Sequence, residues 1–311
     1  MTAEGQSLLW NVVKSLIKFT CYLFIYADIM TLSVKIVCLH IDVMTKSQKR
    51  GKDMSEKNPK VIMLMDKQVQ INDFIENMKK DWEYNCNLEV SQEQKFVNYA
   101  FEYEGMVIAC SVFDTRFPEE ELEGDIAQSI YGSDLKDIYN EHKCFVIAAV
   151  IGDLPVNINK AYSLFTRVVM AFQKNVSRGL IYDMDSRQAI QTDVYMKMFE
   201  NMKNWYREGK DIFPTDWYVN YRLYENNGKL NGFTLGFEKF NDYEIEIYDA
   251  DIEIEELVNI LTFIVINVIS MQDKIHDRDL IPVPLGEKYS EAIVKLNKSN
   301  ILDKETLVII F

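Results

Sequence analysis

The chain reads as an α+β protein: mixed, largely antiparallel sheets with packed helices. Three observations predict this. The last third, Phe213 to Phe311, alternates faces and turns back on itself as an antiparallel unit does. Extended and helical segments mix without the strict βαβ alternation that builds a parallel sheet. With 48% hydrophobic and 12% aromatic residues in 311, the chain can bury a substantial core. Gly209 and Pro214 mark a boundary, so the expected organisation is a leader (1–53), an N-terminal α+β half (54–212) and a C-terminal antiparallel unit (213–311).

The first fifty residues differ from the rest. Leu8 to Val37 is apolar but broken by Lys14, Lys18, Asp28 and Lys35. No uninterrupted run reaches the roughly 18 residues of a spanning helix. A signal peptide, with positive charge first and a small-residue cleavage site after the apolar core, is not evident. Two readings stand. Leu9, Val12, Val13, Leu16 and Ile17 fit an amphipathic helix lying on a membrane surface, which would make residues 1–40 a membrane contact. Alternatively, translation begins at Met54, and the basic stretch Gln48 to Asp53 reflects a purine-rich ribosome-binding site; this is the leading expectation.

Beyond the leader, Val61 to Met65 is a short apolar strand, followed by a helix from about Asn72 to Trp82. Phe96–Glu104 and Met106–Asp114 form a hairpin around Gly105, the second strand apolar on both faces as a central strand is. Pro118 and its glutamates open an acid-started helix. Cys144 to Ile151 is a second central strand. Asn157 caps the next helix, whose apolar positions Ile158, Ala161, Tyr162, Phe165, Val168, Val169 and Phe172 keep helical spacing. Gly179 to Asp183 is a strand. Thr192 to Glu208 is a helix presenting Val194, Tyr195, Met198, Met202, Trp205 and Tyr206.

In the C-terminal unit, Trp217 to Tyr224 alternates, with Trp217, Val219, Tyr221 and Leu223 on one side. Asn226-Asn227-Gly228 supplies the tight turn, because Asn and Gly tolerate positive φ. Phe233–Phe237 is the next strand, turning at Asn241-Asp242 into Tyr243–Tyr248. Ile254 to Met271, apolar nearly all round, reads as a helix buried between layers, and Thr306 to Phe311 closes the chain as a strand.

A net charge of −14 argues against nucleic acid, which is bound by clustered Lys and Arg, and suits a basic protein partner. The five cysteines show no ligand spacing, and Cys110 and Cys144 lie in apolar strands as small hydrophobes. Their odd number points to a reducing cytoplasm. None of the three histidines sits in a metal-binding pair, so neither a His-based metal site nor a Ser-His-Asp triad is expected, and no cofactor is implied. Gly228, Gly232 and Gly236 recur every fourth residue, but a hairpin and its strand account for them.

Three constellations could carry function. Tyr218, Arg222 and Tyr224 fall on one face of their strand, an aromatic and arginine surface typical of protein binding. Glu244 and Glu246 project from one face about 7 Å apart, and could hold a divalent cation or divide acid and base roles. Alternation with Tyr243, Ile245 and Ile247 explains that pair more simply as the solvent face of a half-buried strand. Asp183 and Asp185 follow a strand end, where ligands bind in α/β sheets and turns also recruit Asp. If the four carboxylates converged, they would form a metal site.

The motifs Phe213-Pro-Thr-Asp-Trp217, Gly232-Phe-Thr-Leu-Gly236-Phe-Glu-Lys-Phe240 and Tyr243-Glu-Ile-Glu246 carry a resemblance, with His142-Lys-Cys-Phe-Val146 and Gly179-Leu-Ile-Tyr182 upstream. Together they resemble the bacterial domain-of-unknown-function family numbered 4261, over most of Lys60 to Phe311. That family brings no established activity or catalytic residues. Similar small bacterial α+β domains include immunity proteins that neutralise toxins. The expectation is therefore a cytoplasmic, non-enzymatic interaction protein of bacterial type, with a metal-dependent enzyme on the four carboxylates as the alternative.

Overall fold

The computed structural model describes residues 57–68, 70–92, 96–118, 122–154, 156–286 and 288–311. The leader readings and the glutamates after Pro118 lie outside the described residues. Two mostly antiparallel sheets with packed helices confirm the α+β class.

The first sheet contains β1 (Lys60–Met65), β2 (Glu89–Gln92), β3 (Phe96–Tyr103), β4 (Met106–Phe113), β5 (Cys144–Ile151), β6 (Gly179–Asp183) and β7 (Gln188–Gln191). Their order is β2-β3-β4-β5-β1-β6-β7, and every pairing is antiparallel. The run Val-Ile-Met-Leu-Met of β1 is buried throughout because β5 and β6 flank it and both sheet faces are covered. The expected β3–β4 hairpin turns at Glu104 (φ 52°) and Gly105 (φ 84°). Sequence reading missed β2 and β7, which are four residues long and polar, too short to display a period.

Helices cover both faces of this sheet. On one side lie α1 (Ile71–Trp82) and, after the short α2 (Glu123–Ala127) and α3 (Leu135–Glu141), α4 (Ile158–Gln173). Phe74 of α1 stacks on Phe172 of α4, ring centroids 4.0 Å apart. Asn157 caps α4 as expected, accepting from the Lys160 N–H at 2.8 Å. Helices α2 and α3 cover the other side, around the Phe113–Phe145 stack at 4.3 Å. There His142 is held by both ring nitrogens: Nε2 accepts the Phe117 N–H at 2.7 Å, and Nδ1–H donates to the Tyr139 carbonyl at 2.5 Å. This pair of bonds requires the neutral ring.

The long helix expected from Thr192 to Glu208 is two helices, α5 (Thr192–Met196) and α6 (Phe199–Arg207). Lys197 and Met198 donate to Val194 and Tyr195, three residues back, which tightens the chain and breaks the helical run. The bend leaves Tyr195 stacked on Trp217 at 3.9 Å.

The second sheet contains β8 (Asn220–Asn226), β9 (Lys229–Leu235), β10 (Glu244–Ala250), β11 (Leu280–Leu285), β12 (Lys288–Lys298) and β13 (Glu305–Ile310), with α7 (Glu238–Asn241) before β10 and α8 (Ile254–Met271) after it. The order is β11-β12-β13-β10-β9-β8. Asn227 (φ 51°) and Gly228 (φ 72°) form the expected turn. Three details differ from expectation. Trp217 and Tyr218 precede the strand, in and just after a 3-10 turn over Thr215–Trp217. The β11–β12 hairpin carries the chain past α8, so β13 returns parallel to β10 and the unit is not wholly antiparallel. β11 forms the sheet edge, with Pro282 and Pro284 opposite Glu291 and Tyr289.

Burial also separates two helices that sequence alone ranks the wrong way round. α8 is the more apolar, yet seven of its 18 side chains are buried, and Ile254, Ile266 and Met271 face outward. It is long and apolar enough to cross a membrane by length and composition, and its buried stripe packs on the sheet: a Cβ at Gly232 would lie 3.1 Å from Leu261 and 3.3 Å from Leu257. α4, with lower hydrophobicity, is the helix buried almost all round. It is enclosed because one continuous core joins both sheets, from Met63 and Phe165 through Phe213 and Tyr218 to Ile245 and Leu307. The halves expected to meet at residue 212 share that core.

Candidate functional site

The seam between the sheets is built around one lysine. Strand β6 ends at Asp183, whose Oδ1 accepts the Ser186 N–H at 2.8 Å and turns the chain. Across the seam Gly236, at φ 85°, lies so close that a Cβ would sit 2.5 Å from the Tyr218 carbonyl and 3.0 Å from Ser186 Cα. This approach seats α7, and α7 delivers Lys239. Its Nζ lies 3.3 Å from Asp183 Oδ1 and 3.6 Å from Asp185 Oδ2. The ammonium also stands 4.9 Å from the Tyr162 ring centroid and 5.7 Å from that of Tyr218. Lys60, partly exposed, holds Asp185 Oδ1 at 2.7 Å.

Lys239 and Asp183 are both fully enclosed, so their charges balance each other where water cannot. Burial raises the Asp183 carboxyl against the pull of Lys239, and Asp185 raises it further. Burial disfavours the Lys239 charge, but Asp183 and Asp185 outweigh it, and the ammonium is held above its ordinary value. Asp183 Oδ2, Asp185 Oδ2 and Ser186 Oγ have no hydrogen-bond partner.

The other carboxylate pair is not on a solvent face. Glu244 and Glu246 are 1% and 0% exposed, because β10 is central and the β12–β13 loop covers its outer side. Glu244 Oε2 accepts the Thr234 hydroxyl at 2.7 Å and the Phe237 N–H at 3.0 Å, while Oε1 accepts the Gly236 N–H at 2.6 Å. Glu246 accepts hydroxyls from Ser299, Tyr248 and Thr306. Asp183 and Asp185 thus share Lys239, while Glu244 and Glu246 are each committed to other donors. Among the described residues no three His, Cys, Asp or Glu side chains gather into a metal-binding group. The metal alternative is conditional on such a group, and none is formed among the described residues.

Nor do Tyr218, Arg222 and Tyr224 form one exposed face. Tyr218 is 1% exposed, and its hydroxyl bonds Thr166 Oγ1 at 2.7 Å and the Tyr195 hydroxyl at 3.3 Å. Burial pushes that phenol up to about 12. The strand alternation does not reach back to it because the 3-10 turn intervenes. Arg222 is on the outer face of the second sheet but tied down, 3.6 Å from Asp125 Oδ1 and bonded to Gln128 and to the Arg187 carbonyl. Tyr224 is half-buried, edge-on to Phe233 at 6.3 Å.

That outer face carries something the sequence reading missed. Leu280, Ile293 and Ile310 stand directly opposite one another across β11, β12 and β13, and are 66%, 37% and 42% exposed. Val308, two residues before Ile310, pairs with Glu246, which pairs with Phe233, which pairs with Arg222. The row therefore shares its face with Tyr248, Phe233 and Tyr224. The stretch from the end of β10 into the first turn of α8 holds Asp249, Asp251, Glu253, Glu255 and Glu256. The alternation of β12 was the available signal, obscured by its interspersed Lys and Glu.

Comparison of the chain with protein-family models, with curated proteins and with solved structures gives no match in any of the three.

Proposed function

We propose that this protein acts by binding another protein through the outer face of its second sheet, and that the partner is basic. The carrying observation is the row Leu280–Ile293–Ile310, three large apolar side chains aligned across three strands and open to water. Exposed apolar patches with a polar rim are where proteins dock. Five acidic residues lie between 249 and 256, from the end of the neighbouring strand β10 into α8, and a net charge of −14 would steer a cationic partner. Occupying a basic protein is the action by which an immunity-type protein neutralises its target.

The test is affinity purification of the full chain from its native host, beside a Leu280→Lys/Ile310→Lys variant. Wild type should retain a basic protein in stoichiometric amount, weakened by salt. The variant should lose it about tenfold or more, since two lysines cost both apolar contact and charge match. Its melting temperature should stay within a few degrees, as exposed substitutions shift stability little. A wild-type chain that purifies alone, or a variant that keeps the same partner, overturns the reading.

A further inference from the structure

Two carboxylates share one ammonium where β10 begins. Lys304 Nζ lies 2.5 Å from Glu238 Oε2 at the surface and 3.8 Å from Glu244 Oε1 beneath it. Glu238 and Lys304 are partly exposed, whereas the Glu244 side chain is enclosed. Three donors are aimed at Glu244, from Thr234, Gly236 and Phe237. The Thr234 hydrogen is committed to it, because Thr234 Oγ1 itself accepts the Ile245 N–H at 2.9 Å. Lys304 closes the β12–β13 loop, its carbonyl accepting the Ser299 N–H at 2.8 Å. The far end is pinned where Ser299 Oγ donates to Glu246 and accepts the Ile301 and Leu302 N–H groups.

We propose that Glu244 is a proton-operated latch on the loop 299–304: ionised, it draws Lys304 inward from Glu238; protonated, it releases Lys304 to Glu238. The charged groups around it are few. α7 presents Glu238, with Lys239 already held by Asp183 and Asp185. The loop presents Lys304, β10 carries Glu246 two residues on, and β9 and β13 present the neutral Thr234 and Thr306. Burial pushes the Glu244 carboxyl up to about 7, with Lys304 pulling it down and Glu238 pushing it up, so the latch changes state near neutral pH. The folded chain then holds this proton more tightly than the unfolded one. The stability it contributes is complete below the ordinary carboxylate range and is lost as pH rises through about 7.

The latch does not rest on the docking reading and is tested without a partner. In the ¹³C,¹⁵N-labelled full chain, the Glu244 carboxyl carbon should titrate with a midpoint near 7, and the amides of Lys304 and Glu238 should move with the same midpoint. Glu244→Gln should abolish that amide response and flatten the fall in melting temperature between about pH 5 and 8. Glu238→Gln, a change at a partly exposed site, should lower the Glu244 midpoint by leaving Lys304 one carboxylate to serve. A Glu244 carboxyl titrating in the ordinary acid range, or Lys304 and Glu238 amides that ignore it, overturns the latch. So does a midpoint that rises in Glu238→Gln, whether or not Glu244→Gln folds.

Discussion

Lys239→Met should destabilise the protein by about 3–5 kcal/mol, the cost of removing one partner from a buried ion pair. The loss comes less from the attraction given up than from what remains: Asp183 is fully enclosed, and its Oδ2 already lacks a partner. Without the ammonium at 3.3 Å, the carboxyl must either stay charged without compensation or take up a proton. Methionine keeps the aliphatic packing against Tyr162 and Tyr218, so the effect reads charge rather than volume. Urea denaturation followed by tryptophan fluorescence measures it, and the melting temperature should fall by about 10 °C. Adding Asp183→Asn should recover part of the loss, since the remaining polar group is neutral. A single variant within about 1 kcal/mol of wild type would show that Lys239 does not tie the sheets together.

Gly236→Ala should cost a comparable amount by a steric route. Its φ of 85° is left-handed, which costs a residue with Cβ about 1–2 kcal/mol. The Cβ would also lie 2.5 Å from the Tyr218 carbonyl and 3.0 Å from Ser186 Cα. Both are backbone atoms, so relief requires the seam to open, adding about 1–3 kcal/mol. Gly228 supplies the control, with a φ of 72° and nothing within 4 Å of its added Cβ. Gly228→Ala should therefore cost about 1–2 kcal/mol, and the difference between the two isolates the closeness of the seam. Equal losses in chemical denaturation would mean that the backbone at Gly236 gives way freely.

The α+β class and most central strands were legible because burial writes itself as an apolar run. Val61 to Met65 and Cys144 to Ile151 could be little else. Turns with chemical signatures were legible too, Glu104-Gly105 and Asn227-Gly228 among them. Three edge strands and one neighbour were not: β2, β7 and β11, with β12 beside β11, carry polar residues or proline, and nothing local separates them from loops. The site residues failed for a different reason. Alternation tells which residues share a face but not what covers it, so Glu244 and Glu246 read as solvent-facing when a loop from distant sequence encloses them. Tyr218 was misplaced by a three-residue error in where the strand begins, at Asn220 rather than Trp217. Lys239 gave no sign at all, because its two aspartates lie more than fifty positions away, at residues 183 and 185.

Strand β11 places a limit on how this protein can meet its own copies. Val294 donates to the Asp279 carbonyl, so the residues bonded to β12 are the odd ones, and positions 282 and 284 point their backbone away from the sheet. Both are proline. Where a free edge would offer donors to an incoming strand, this one has none at two of its six positions. The sheet therefore cannot template its own extension there. Crowding the exposed leucine and isoleucines of neighbouring molecules together should produce reversible side-chain contact rather than continuous β-ladders, separating recognition on this face from fibril growth along its rim.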